Sequence, residues 1–274
     1  MILVDFAQSV IATVFAEDTT DELVVERKVF EALKGYKNRF SEYGDMVICC
    51  DGKDLWRKKE FIYYKANRKA HKKESKHDWV LIYGLIKKIT EALKEYSPYK
   101  VIYLKEAEAD DIIATLVRYV NLENSIIIST DKDFMQLQTY DSVSQYCPRT
   151  KQFMVIDNPK HYLMEKIIRG DQSDGIPNIK SPDNSFLIEK RQKSILSKNL
   201  VNWVNMKPEE FCDDEMLKKF ERNKMLMDFE YIPSDLSISI MKEFNNAKVS
   251  KRTDLMNYFM SRRQKELVEQ IGEF

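Results

Sequence analysis

Apolar residues along this chain gather into runs of two kinds. Four are short and uninterrupted: residues 2–4 (Ile-Leu-Val), 46–50 (Met-Val-Ile-Cys-Cys), 101–104 (Val-Ile-Tyr-Leu) and 126–128 (Ile-Ile-Ile). Such runs suit strands buried on both faces. Between them, apolar residues return at helical spacing, as in Ile112, Ile113, Leu116, Val117 and Val120. Strands alternating with helices predict an α/β fold, a central and mostly parallel sheet with helices on both faces. After about residue 160 the patterns are helical and no strand series continues. The expected organisation is therefore an α/β domain over 1–165 and a mainly helical domain over 166–274.

Composition narrows the class. With 43% hydrophobic and 32% charged residues in 274, the chain can bury a core and is not a disordered polymer. No apolar run approaches the roughly 20 residues of a membrane span. The start, Met1 to Asp5, lacks the basic and apolar segments of a signal peptide. Cys49, Cys50, Cys147 and Cys212 show no CxxC spacing, so reduced thiols and a cytoplasmic location are expected. Neither GxGxxG nor GxxxxGK[ST] occurs, which argues against Rossmann and Walker-type nucleotide sites.

Lys plus Arg and Asp plus Glu are both 44, so net charge says nothing, but its distribution does. Residues 53–76 hold ten Lys or Arg against three acids, a local excess of seven. The acids gather at strand ends. Asp5 follows the first run and Asp51 the second, Glu108, Asp110 and Asp111 come just after the third, and Asp131 and Asp133 follow the fourth. Singly, each reads as a turn or a helix cap. Together, beyond the carboxyl ends of neighbouring parallel strands, they converge on one edge. Two carboxylates about 4 Å apart repel by roughly 4 kcal/mol at an effective dielectric near 20. Such an edge needs cations or raised pKa values. Oxygen donors without nearby His or Cys suit Mg²⁺ or Mn²⁺, and two such ions suit phosphodiester hydrolysis. A later stretch, Gly170-Asp171-Gln172-Ser173-Asp174-Gly175, offers two further acids.

Glu108-Ala109-Asp110-Asp111, Ser129-Thr130-Asp131-Lys132-Asp133, Tyr64-Lys65-Ala66-Asn67-Arg68 and the stretch 170–179, in this arrangement, resemble the 5′ nuclease (flap endonuclease) family. The likeness is nearest to its T-even phage ribonuclease H branch and runs over essentially the whole chain. It implies a Mg²⁺-dependent nuclease with two ions, for which Mn²⁺ substitutes, acting 5′ to 3′ as an exonuclease and flap endonuclease. Substrates would be the 5′ ends or flaps of DNA and RNA–DNA duplexes, including RNA primers of lagging-strand fragments in phage replication. By position, Asp5, Asp51, Glu108 and Asp110 would hold the first ion, with Asp111 close by. Asp131 would lie near both, and Asp133, Asp171 and Asp174 would serve the second. The basic stretch, about 53–80, would form a helical arch over the site. Lys65 and Arg68 would meet the scissile phosphate as catalytic residues beside Asp131 and Asp133. Tyr64 would stack on a base, and Arg57, Lys58, Lys69, Lys72 and Lys73 would contact the strand.

The family's glycine-rich loop after Asp-Gly-Ile-Pro is replaced here by Asn178-Ile179-Lys180-Ser181-Pro182-Asp183. Asn178 tolerates a left-handed backbone, and duplex gripping would pass to Lys180, Lys190 and Arg191. At the C-terminus, Leu267, Val268, Ile271 and Phe274 share one side of a helix. That pattern fits a helix docked on its own domain. The resemblance also suggests a tail in which Leu267, Ile271 and Phe274 enter a sliding clamp, with single-stranded-DNA-binding protein as a further partner of a monomeric enzyme. Rival readings are a PIN-type ribonuclease and a non-catalytic binder of branched nucleic acid. A haloacid-dehalogenase-type phosphatase would need a second acid at position 7, which is Ala7.

Overall fold

The computed structural model describes residues 1–68, 75–120, 124–188 and 191–274. Lys69, Lys72, Lys73 and Lys190, named above as strand or duplex contacts, lie outside these.

Six strands form one sheet among the described residues: β1 (Ile2–Asp5), β2 (Met46–Cys50), β3 (Lys100–Tyr103), β4 (Ser125–Ile128), β5 (Val143–Cys147) and β6 (Gln152–Met154). Their order is β3-β2-β1-β4-β5-β6, all parallel except the antiparallel β5–β6 pair. The first four are the apolar runs expected. β5 and β6 (Val-Ser-Gln-Tyr-Cys and Gln-Phe-Met) escaped the hydrophobic pattern, because Ser144 and Gln145 interrupt the apolar run of β5 and β6 is a short, largely exposed edge strand. The chain runs outward from β1 to β2 and β3, then jumps back to β4 on the other side of β1. The carboxyl ends of β1 and β4 therefore flank a topological switch point, where open α/β sheets form their sites.

Alternate residues of the apolar strands serve opposite faces. Ile2, Val4, Ile48, Ile126 and Ile128 join one core, with α1 (Phe6–Glu17), α2 (Glu22–Arg39) and, after the short α3 (Trp56–Glu60), α4 (Trp79–Tyr96). Leu3, Val47, Cys49 and Ile127 join the other, with α5 (Ala109–Tyr119). Next come α6 (Pro159–Arg169), α7 (Ser197–Trp203), α8 (Pro208–Phe211) and α9 (Asp214–Met227); α6, α7 and α9 share a small core of Ile167, Ile168, Ile179, Leu200 and Phe220.

The boundary expected at 165/166 does not divide the packing. α6 runs through it, and the chain after α9 returns to the sheet. Leu236 and Ile240 of α10 (Ser234–Asn246) enter the core beneath α5, and Leu255 and Phe259 of α11 (Arg252–Ser261) enter the core with α2 and α4. The tail, α12 (Lys265–Glu269) and a 3-10 turn at Ile271–Glu273, also docks at home. Leu267 is fully buried and Phe274 is 2% exposed, its ring 5.5 Å from Phe259 and 6.2 Å from Phe30. The expectation of Leu267, Ile271 and Phe274 as a free clamp-binding anchor is thus corrected. Burying an aromatic ring in its own core leaves nothing to offer a groove.

Candidate active site

The acids at the strand ends are held by the elements that follow each strand. Asp5 is the last residue of β1 and is 5% exposed; its carboxylate accepts from Ser129 Oγ at 2.9 Å. Asp51, just past β2, accepts from the Ala109 amide at 2.9 Å at the start of α5. Glu108 caps α5 and faces Arg57, Tyr64 and Lys65, and Asp110 in that helix's first turn lies near Asp5 and Asp131. Asp131 caps a 3-10 helix at Lys132–Thr139 through the Asp133 amide, 2.9 Å away. Gln145 of β5 fixes this turn by donating to the Asp131 and Ser129 carbonyls at 2.5 and 3.2 Å.

Electrostatics shows what this edge lacks. Burial pushes Asp5 up to about 8, helped by Asp51 and Asp131. Asp110 is raised well above the usual range by burial, then by Asp131 and Asp5. Asp51 is raised by burial of its carboxyl group, although the residue as a whole stands open to solvent at the lip of the cleft. These acids share one small region and lack enough positive charge to ionise together.

Further along, Asp133 and Asp171 are bridged by Lys166 of α6. Its Nζ donates to Asp133 and stands 2.9 Å from Asp171. Burial raises Asp133 to about 7 against the pull of Lys166. For Asp171, burial would raise the pKa, but Lys166 and hydrogen bonds from Ser173 outweigh it and hold the group at about 2.

Between the two sets stands the Tyr-Lys-x-Asn-Arg segment. Lys65 donates to Glu108 and lies 3.7 Å from Asp174, and Arg68 Nη2 donates to Asp174 at 2.6 Å. Lys65 takes a left-handed backbone, φ 56°, uncommon for a side chain of this size. The loop 170–176 holds it there. The Lys65 amide donates to the Asp174 carbonyl at 2.7 Å, and Asn67 donates to the Gln172 carbonyl at 2.7 Å. Gly170 closes the loop at φ 69°, where a Cβ would lie 2.3 Å from the Ile176 carbonyl oxygen. The Gly-Asp-x-x-Asp-Gly motif thus clamps the basic segment as well as presenting its acids.

Several predicted residues sit elsewhere than expected. Asp111 is fully buried and faces away from the cleft, paired with Arg57 at 2.7 Å and with Trp56 Nε1 at 3.2 Å, and it caps α5 through the Glu108 amide. Arg57, placed above on the nucleic acid, is 2% exposed and spans Glu108, Asp111 and the Leu226 carbonyl. Its role here is to neutralise buried acids. Tyr64, placed above as a base-stacking residue, is 3% exposed, with its hydroxyl shared between Glu108 at 2.8 Å and Asp174 at 3.1 Å. Lys58 and Arg191 are exposed and Lys180 half-buried. Asn178 keeps a right-handed or extended backbone. Its side chain makes the turn instead, accepting from the Lys180 amide at 3.0 Å and Ser181 Oγ at 2.9 Å. Two amides of this loop are thereby spent internally, since Ser181 also donates to the Asn178 carbonyl.

Two participants had no sequence signal. Gln8, in the first turn of α1, accepts from the Thr130 amide and hydroxyl at 2.9 and 2.7 Å and so ties the β4 turn to β1. Lys166 is an ordinary residue of a helix, made relevant only by what folds beside it.

The donor set fits a hard divalent cation in kind: carboxylate oxygens, buried and mutually repelling, at the switch point of the sheet. Among the described residues no three of them yet surround one point closely enough to hold an ion, and Lys65 and Lys166 supply the positive charge instead.

Comparison with known proteins identifies the family. Residues 5–167 match the family described as 5′-3′ exonuclease, N-terminal resolvase-like domain, and residues 157–274 match T4 RNase H, C terminal. Ribonuclease H of Enterobacteria phage T4 is 28% identical over 289 aligned positions, covering 99% of this chain and 95% of that protein. A phage T5 flap endonuclease, solved in complex with DNA and metal ions, aligns with a TM-score of 0.64 at 17% identity, over 90% of this chain and 98% of that one. The T5 5′-exonuclease with bound zinc gives 0.62 at 16%, with the same coverage. The T5 likenesses show a shared fold, and with the match over residues 5–167 they lead to one conclusion: this chain belongs to the 5′-3′ exonuclease family.

Proposed function

We propose that the protein is a Mg²⁺-dependent 5′ nuclease that uses two ions. It would act as a 5′-to-3′ exonuclease and flap endonuclease on DNA–DNA and RNA–DNA duplexes and remove RNA primers during phage replication. The observation that carries this is the convergence of Asp5, Asp51, Asp110 and Asp131 at the β1/β4 switch point, with the first three raised in pKa by burial and mutual repulsion. Its phage T4 relative is named a ribonuclease H, and its T5 fold neighbour was solved with DNA and metal ions.

Asp5, Asp51, Glu108, Asp110 and Asp131 would hold one ion, and Asp133, Asp171 and Asp174 the other. Bound there, divalent ions supply Lewis acidity to the scissile phosphate and to the attacking water. Lys65 and Arg68 would exchange Glu108 and Asp174 for phosphate oxygens when a strand enters, a reading supported by the ion pairs they make beside the acid cluster. Lys166 holds Asp133 and Asp171 together in the free protein. Exposed Lys58 and Arg191 and half-buried Lys180 would meet duplex phosphates. Hydrolysis would leave a 3′-hydroxyl on the departing piece and a 5′-phosphate on the remainder.

The test is a 5′-labelled set comprising an RNA–DNA hybrid, a nicked duplex and a flap, incubated with and without Mg²⁺. Release of short 5′ products only with Mg²⁺ is expected. Cleavage that persists in chelator, or binding without any cleavage, overturns the proposal.

A further inference from the structure

A cavity of about 670 Å³ opens beside Asp51, between the start of α1, the ends of β2 and β3 and the middle and last turns of α4. Its size lies within the roughly 300–1,000 Å³ of small-ligand sites. The floor is apolar and aromatic, formed by Phe6, Tyr83, Ile86 and Tyr103. The rim carries Lys53, Lys87 and Lys94. Lys87 faces Glu91 at 3.7 Å and Lys94 faces Glu243 at 3.5 Å, long exposed pairs that cost little to exchange for a phosphate.

One wall is Gly84, in the interior of α4. A Cβ built there meets no atom within 4 Å, so neither packing nor backbone geometry requires glycine. Glycine is nevertheless the weakest helix former after proline. What it provides here is open volume. The opposite wall is rigid, because a Cβ on Gly52 would lie 2.3 Å from the Leu104 carbonyl oxygen.

We propose that this cavity seats the base of the nucleotide on the 5′ side of the scissile phosphate, the one whose 3′ oxygen leaves on hydrolysis, while the rim lysines hold its backbone. The inference rests on the 5′ nuclease reading. An apolar floor next to a metal-binding carboxylate, ringed by ammonium groups, matches a nucleotide's own division into aromatic base and anionic phosphate. Every base has a π-face, so the site would select an unpaired nucleotide without selecting its sequence.

The experiment compares two flap substrates, one with a normal nucleotide 5′ of the cut and one with an abasic residue there. Equilibrium binding without divalent ions and single-turnover cleavage with Mg²⁺ are read for the wild-type protein, Gly84→Ala and Gly84→Leu. The abasic flap is expected to bind wild type roughly fivefold to a hundredfold more weakly. Gly84→Ala should keep that difference, and Gly84→Leu, which fills the cavity, should abolish it by weakening the normal flap. Equal binding of the two flaps to wild type, or an undiminished difference in Gly84→Leu, overturns the pocket. If Gly84→Leu fails to fold, the wild-type comparison alone decides. If wild type discriminates in binding yet cuts neither flap, the nuclease reading fails while the base site stands.

Discussion

Asp131 and Asp133 stand one residue apart at the end of β4 and face different neighbours, the first the Asp5–Asp110 group and the second Lys166 and Asp171. If each serves a separate ion, Asp133→Asn should lower Mg²⁺-dependent cleavage by about a hundredfold or more, since losing even a ligand's partner costs 10–100-fold. The fold should remain, because the amide can still contact Lys166. Single-turnover rates measured alongside thermal unfolding check this, and wild-type rates would remove Asp133 from the site. Lys65 and Arg68 are a second case. If they meet the scissile phosphate as proposed, their replacement by Ala should slow the chemical step by about 10²–10³-fold, the scale of losing one preorganised electrostatic contact. Duplex affinity should change far less. Equal losses in rate and in Kd would make them ordinary binding residues.

At the scale of elements, the helices after residue 227 belong to the sheet's own cores rather than to a detachable domain. Phe274, the last residue, fills a space between Phe30 of α2 and Phe259 of α11. Polar contacts fasten the same segment. Lys34 pairs with Glu273 at 3.3 Å, Arg27 with Glu266 at 2.7 Å, and Gln264 donates to the Leu23 carbonyl at 2.9 Å. Phe274→Ala should therefore destabilise the protein by about 3–5 kcal/mol, read as a lower denaturant midpoint. An unchanged midpoint would mean that the tail is free after all. The helical spacing of 267–274 was legible in the sequence. Which surface it faces was not, because an amphipathic pattern reports an apolar side and not its partner.

For the whole molecule, the acid cluster makes stability depend on pH. Asp5 at about 8 and Asp133 at about 7 lie above the unfolded carboxylate value. Between about pH 4 and those values the folded state keeps protons that the unfolded state has lost, so stability falls as pH rises. Glu108 and Asp171 go the other way. Burial would raise Glu108, but Lys65 and Arg57 outweigh it and hold it at about 2, as Lys166 does Asp171. Their contribution is present above about pH 4.5 and is lost as pH falls toward 2. Metal-free protein should thus be most stable in mildly acid solution, with Tm declining from about pH 5 to pH 8 by about 2–4 °C per kcal/mol lost. Mg²⁺ should flatten that decline, because a cation relieves the repulsion. A Tm that is flat over this range without metal, or a slope that Mg²⁺ leaves untouched, would show that these acids do not share a site.

The sequence by itself determined the strands β1 to β4, their parallel arrangement and the acids at their ends. Those features are local: an uninterrupted apolar run rich in β-branched residues makes a buried strand, and the residues just past its carboxyl end lie at the sheet's edge. It also placed the Lys65–Arg68 segment near the acids, through the order of motifs along the chain. Only the tertiary structure decided which acids face the cleft. Asp110 and Asp111 are adjacent, yet the rotation of about 100° between successive helical residues sends the first toward Asp5 and Asp131 and the second into a buried pair with Arg57. The same holds for Tyr64 and Arg57, whose charge and aromaticity suggested nucleic acid until burial assigned them to Glu108 and its neighbours. Lys166 and Gln8 became visible only when the fold brought distant segments together. A side chain's type is written in the chain, but its partner depends on packing across the sheet, which no local pattern encodes.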